Sequence, residues 1–202
     1  MTIYAEKHLL KDCTHISACY PFRGKIEEKP GSGIYVIQMK DVDWEAGIDW
    51  NGCMETTLPG KKTPEWLQAG DILFIAKGLK NYALLVDDTI EQRKAVAATQ
   101  FFRIRVTNKR LQPAFLVWWL NHGYSQLLFK TWAHGSSAAA QNVPKSILEQ
   151  THVVIPKPSY QQAVLNLYAK VLEERLVAQE LIDNGRRMMA SLACDIMNGK
   201  KD

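Results

Sequence analysis

The chain has 202 residues, 47% of them hydrophobic and 23% charged, with a net charge of +4. That balance supports one packed domain with an appendage, or one larger domain, and excludes a wholly disordered chain. No apolar run approaches the ~18 residues of a bilayer crossing, and "MTIYAEKHLLKDC" lacks the apolar core of a signal peptide, so a cytoplasmic protein without a membrane partner is expected.

The first segment to resolve into structure is residues 4–17, where Leu9, Leu10, Cys13 and Ile16 have helical spacing and predict a short helix. "KPGSG" is a turn signal, and the "GIYVIQM" that it introduces (33–39) predicts a strand. Residues 43–66 are polar with scattered tryptophans and read as an irregular excursion. Further strands are expected over 70–76, 82–88 and 96–107. In the last of these Phe102, Ile104 and Val106 alternate with Arg103 and Arg105, which places both arginines on a solvent face. Pro113 suits the first turn of a helix over 111–123, and 125–133 continues as a second. An alanine-rich loop, a helical turn from Pro144 and a strand over 152–158 follow.

Beyond Pro158 the pattern changes. Leu165, Tyr168, Leu172, Leu176, Ile182, Met189 and Ile196 lie near one helical stripe in a stretch without proline. About 38 helical residues would run roughly 57 Å at 1.5 Å per residue, far more than one small core can cover, so the stripe asks for a partner helix. Asn184-Gly185 leaves two possibilities: a break into a helical hairpin, or a place where another backbone comes close. The fold class expected is α+β, a β-rich domain with short helices over 1–157 and a long helical segment over 158–202.

Four cysteines (Cys13, Cys19, Cys53, Cys194) form no CxxC pair and have no histidine at ligand spacing, so reduced thiols and no structural metal are expected. There is no GxxxxGK[ST] loop, no HExxH pair and no methyl-donor site, and no catalytic residue is assigned. The one enzymatic alternative is a metal-dependent nuclease using Glu27 and Lys29 as E-x-K with Asp12 upstream, against a plain solvated turn. Charge is uneven: residues 61–157 hold thirteen Lys/Arg against six Asp/Glu, whereas residues 1–60 hold six against nine. The middle of the chain is therefore where phosphates would be met, unless that excess only solubilises a face.

The ordered landmarks resemble the specificity subunits of type I restriction–modification systems. "LKDCTHISACYPFRGKIEEKPGSGIYVIQMKDVD" is similar to the opening of their target-recognition domains, "LQAGDILFIAKG" to the family's "L-x-x-G-D-I-L-F" motif and "LQPAFLVWWLN" to "L-x-P-x-F-L-x-x-x-L-N". "GSSAAAQNVPKSILEQTHVVIPKPSYQQ" resembles the domain's ending, so the likeness spans about residues 9–162. In that family a subunit carries two recognition domains, each followed by a long helix, and the two helices pair antiparallel. The resemblance implies one half of such a subunit, without catalysis or a cofactor of its own. The implied partners are double-stranded DNA, a second copy through the helix, an adenine methyltransferase that uses S-adenosylmethionine, and a restriction or motor subunit. A stand-alone DNA-binding regulator is the alternative.

For DNA contact, Lys61 and Lys62 lie on a turn, and Lys77, Lys80 and Asn81 lie just past a strand end, beside Gly78. Ser136, Ser137, Gln141, Asn142 and Lys145 offer small or bidentate polar groups in the alanine-rich loop; Gln and Asn can read adenine in the major groove. The same loop could instead serve only as the turn that starts the helix at Pro144.

Overall fold

The computed structural model describes residues 6–22, 24–60, 63–133, 141–197 and 199. The chain divides into two compact units, Met1–Gln162 and Ala163–Asp202.

In the first unit, β1 (Glu6–Leu9), one helical turn α1 (Leu10–Cys13) and β2 (Thr14–Ala18) replace the expected helix over 4–17. Leu10 and Cys13 do share a buried helical face, but only for one turn. The Thr14 hydroxyl and the Cys13 thiol both donate to the Leu10 carbonyl, and from Thr14 onward burial alternates with the period of a strand. Pairing with other strands therefore outweighs the local helical spacing.

β3 (Ile34–Ile37) leads through a 3₁₀ turn into a small hairpin, β4 (Val42–Asp43) and β5 (Gly47–Ile48), within the irregular stretch. β6 (Met54–Glu55) returns to pair with β3. β7 (Ile72–Ile75), the two-residue β8 (Lys77–Gly78) and β9 (Ala83–Leu85) follow. The single strand expected over 96–107 is two: β10 (Lys94–Ala97) and β11 (Phe101–Val106). The chain turns at Thr99-Gln100, so β10 runs parallel to β3 in one sheet and β11 is antiparallel to β2 and β7 in another.

The larger sheet has the order β2-β11-β7-β9, and the smaller β10-β3-β6. Every residue of β7 is buried, because the strand is covered on both faces. Leu73 and Ile75 join Ile37, Leu84, Ala97 and Phe101 in one cluster. On the opposite face Phe74 meets Phe129 edge to face, with ring centroids 5.0 Å apart. Phe129 belongs to α3 (Gly123–Ala133), which follows α2 (Pro113–Asn121). The strand β12 (Gln141–Asn142), α4 (Lys145–Gln150) and β13 (His152–Ile155) complete the unit, with β13 antiparallel to β1.

The motifs have concrete structural roles. In "GDILF", Gly70 takes a φ of 86° and the buried Asp71 carboxylate accepts from the Gln68 amide at 2.9 Å. Asp71 also holds Arg105 through two hydrogen bonds of 2.6 and 2.7 Å, which keeps the guanidinium pKa above its usual value. Arg103 is buried too and donates to Glu65. The placement of the arginines as solvent-facing charges is thus corrected for Arg103, which is buried, whereas Arg105 stays half-exposed; β11 is an interior strand, and each guanidinium is held by a carboxylate from a neighbouring segment.

In "WWLN", Asn121 caps the edge strand β9: its amide oxygen accepts from the Ala83 N–H at 2.7 Å and its amide nitrogen donates to the Ala83 carbonyl at 2.8 Å. Near the end of the unit, the Gln161 side chain is fully buried. It donates to the Arg110 and Pro156 carbonyls at 2.7 and 2.8 Å and accepts from the Gln112 amide at 2.9 Å. Three chain segments meet at that one amide.

The second unit is the continuation of α5 (Pro158–Met197), a single helix of 40 residues. The helix passes through Gly185 unbroken, which excludes the hairpin. An added Cβ at Gly185 would meet nothing within 4 Å, so the helix surface there is open.

Candidate nucleic-acid interface

A two-stranded ladder places several of the expected contacts side by side. β12 pairs antiparallel with β8 in the register Gln141↔Gly78 and Asn142↔Lys77. The adjacent Val143 is buried and donates its N–H to the Ala76 carbonyl at 2.9 Å, which anchors the ladder to the core. Lys77 and Asn142 are both exposed, so a cation and a bidentate amide lie directly across from one another. The Gln100 carbonyl accepts from the Ala76 and Lys77 amides, tying the ladder to the turn at Thr99-Gln100.

That turn borders a groove of about 450 Å³ whose walls include Lys25, Gln38, Lys40, Thr99 and Gln100. The Gln100 amide oxygen is buried and finds no hydrogen-bond partner among the described residues. Lys40 is held by the buried Asp41 at 2.9 Å and donates to the Gly52 carbonyl; the Asp41 hydrogen bond raises its pKa. Met39 links the groove to the ladder: an added Cβ on Gly78 would lie 2.8 Å from the Met39 methyl. Gln38, Lys40, Thr99 and Gln100 escaped the sequence reading. For Gln38 and Lys40 the one signal was the polar flanking of Met39 in "IQMKDV", which has no helical or strand period to mark it; Thr99 and Gln100 lay inside the stretch read as one continuous strand.

The remaining expected residues are dispersed. Lys80 is exposed, in the loop between β8 and β9. Asn81 is buried, and its amide nitrogen donates to the Ile75 and Ala76 carbonyls at 2.9 and 3.1 Å. Its side chain closes the loop from inside, so the expectation that it presents its amide to DNA is corrected to one of loop support. Lys145 is exposed on α4 and pairs with Glu149 at 3.2 Å. Lys61, Lys62, Ser136 and Ser137 lie outside the described residues, and of Gln141 only the backbone is described.

Glu27 and Lys29 are exposed, and their main chains serve a turn: the Glu27 carbonyl accepts from Thr56 and the Lys29 amide donates to Glu55. Among the described residues no group of three or more His, Cys, Asp or Glu is placed to hold a metal ion. No helix among them is long and apolar enough to cross a membrane.

On α5, Leu176, Ile182, Met189 and Ile196 are exposed, and Leu165, Tyr168 and Leu172 are half-buried. Val171, also on the stripe read from the sequence, is exposed, as are Leu167, Leu181, Met188 and Leu192, which that reading missed; these five are the exposed apolar positions of a second register. They fall on alternating spacings of three and four, with Glu174, Ala178 and Gly185 at the intervening positions, the 3.5-residue period of a coiled-coil seam.

No protein-family model matches the sequence, and no curated protein is detectably similar to it. Solved structures do match. The S subunit of a type I restriction–modification system from M. genitalium is 15% identical, with a TM-score of 0.56 over 99% of this chain and 47% of that one. The HsdS subunit from Thermoanaerobacter tengcongensis is 13% identical, with a TM-score of 0.52 over 88% of this chain and 39% of that one. A chain from work on complex assembly and conformational transition of the type I R-M system is 15% identical, with a TM-score of 0.58 over 95% and 46%. The chain spans about half the length of the structures it matches. It has the fold of one half of a type I restriction–modification S subunit: a mixed α+β domain followed by a long helix.

Proposed function

We propose that this chain is a DNA-specificity module without catalysis of its own. It binds a duplex half-site through the β8–β12 ladder and the neighbouring groove, and brings a partner adenine methyltransferase, which uses S-adenosylmethionine, to that site. The observation that carries the reading is the S-subunit fold over nearly the whole chain, joined to a surface on which Lys77, Asn142, Lys25 and Gln100 are gathered. Lysines on phosphates supply affinity, and amides at base edges supply sequence preference.

Two copies associate through the apolar face of α5. A long helix with an unpartnered 3.5-residue seam is stabilised by a second helix, and closed two-fold pairing presents two inverted half-sites at a fixed spacing. A restriction or motor subunit would join the same assembly.

The test is affinity purification from the native host, with selection of bound duplexes from a randomised pool. Recovery of a methyltransferase and enrichment of a bipartite inverted sequence are expected. Enrichment without any methyltransferase would instead identify a stand-alone DNA-binding regulator. Cleavage of DNA that needs a divalent metal and disappears in Glu27→Ala would refute the non-catalytic reading.

A further inference from the structure

The five-residue path from Lys77 to Asn81 is built to hold one apolar side chain in water. Leu79 is 77% exposed, the most exposed large apolar side chain of the first unit among the described residues. A single exposed leucine is unremarkable on a flexible surface. This one sits on a clamped loop. Asn81 ties the loop's far end to the Ile75 and Ala76 carbonyls, and Gln126 donates to the Asn81 carbonyl at 3.0 Å. At the near end the β8–β12 ladder and the Gln100 carbonyl hold Lys77. Gly78 is closely packed: an added Cβ would lie 2.8 Å from the Met39 methyl and 3.2 Å from an Ile75 methyl. The loop cannot fold Leu79 back into the core without breaking these contacts.

Cations flank the leucine on both sides. Lys77 precedes it and Lys80 follows it, both exposed. Leu79 also forms part of the wall of a groove of about 320 Å³ that carries Lys80 and Lys130. An apolar tip between lysines on a rigid support has the chemistry of a side chain that enters a duplex: the cations hold the phosphates on either side while the apolar group replaces a stacking contact.

We propose that Leu79 is a wedge that inserts between two adjacent base pairs of the bound DNA and opens that step. The proposal rests on the DNA-binding reading above and adds a deformation of the duplex to it. Steps that unstack easily, such as TA and CA/TG, are then preferred at that position without a hydrogen bond to either base.

The experiment uses the full chain and a duplex enriched from the randomised pool, with 2-aminopurine placed at successive positions. Wild-type protein is expected to raise the fluorescence several-fold at one step only. Leu79→Ala is expected to lose that rise and to weaken binding about ten-fold, while Leu79→Met retains both. Lys80→Ala is expected to weaken binding to all duplexes and to lower the salt dependence by about one released ion.

Unchanged fluorescence and affinity in Leu79→Ala would overturn the wedge while leaving DNA binding intact. A Leu79→Ala chain that loses methyltransferase recovery with unchanged fluorescence would overturn it in favour of a protein contact. Failure of the wild-type chain to enrich any duplex would overturn both readings.

Discussion

Replacing Gln161 is the sharpest test of how the first unit is held together. Its side chain is fully buried and all three of its hydrogen bonds go to main-chain groups, at Gln112, Arg110 and Pro156. Gln161→Ala removes these bonds and leaves one donor and two acceptors facing a cavity. At about 1 kcal/mol net per bond, with a further penalty for buried groups left unpaired, the expected loss is about 3–4 kcal/mol. For a unit ending at Gln162, at roughly 2–4 °C per kcal/mol, the melting temperature should fall by about 10 °C. Circular dichroism at 222 nm during heating, with urea unfolding as a cross-check, measures this. Gln161→Glu should be worse at neutral pH, because a carboxylate oxygen then faces two carbonyls that the amide had satisfied. Acidification should recover part of that loss, since the protonated acid regains one donor. Ser159→Ala, an exposed change in the same helical turn, should stay within about 0.5 kcal/mol. A Gln161→Ala protein that melts within about 2 °C of wild type would refute the reasoning.

The other expectations use different readouts. Arg105→Ala leaves the Asp71 carboxylate buried without its guanidinium and should cost about 3 kcal/mol in urea unfolding. Burial pushes the Cys13 thiol up to about 11 and the Cys19 and Cys53 thiols up to about 12. At pH 8 these three stay protonated, so Ellman's reagent should show one fast thiol per chain, the exposed Cys194. Leu181→Glu with Met188→Glu should lower the sedimentation mass from that of a dimer to 22.9 kDa without changing the melting of the first unit. Wild-type protein already at 22.9 kDa at micromolar concentration would remove the helix-pairing claim. Asn142→Ala should change site preference; unchanged affinity and preference would leave it a purely structural member of β12.

The α+β class, the long helix and most strand cores were legible because each rests on a local signal. "GDILF" combines a turn glycine with a buried apolar run, and Pro113 marks a helix start. Two misreadings share a cause. Residues 4–17 and 96–107 both have plausible local periods, yet the first is a strand, turn and strand and the second two strands in different sheets. Partners decided both, since β1 finds β13 more than a hundred residues away and β10 finds β3.

The candidate site was legible only in part. Lys77 and Asn142 could be named from their residue types and turn context, but nothing local says that they face one another across two short strands. Asn81 illustrates the opposite case, because an asparagine that serves a loop from inside has the same sequence signature as one that reads a base. By itself the sequence determined the elements and the apolar stripe of α5, since helix and strand periods are properties of neighbouring residues. Only the tertiary structure decided that Arg103 is buried against Glu65, that Arg105 is held by Asp71 and that Leu79 stands in water. Each of these outcomes depends on which distant groups are available to satisfy a charge, cover a face or clamp a loop, and no local spacing encodes that.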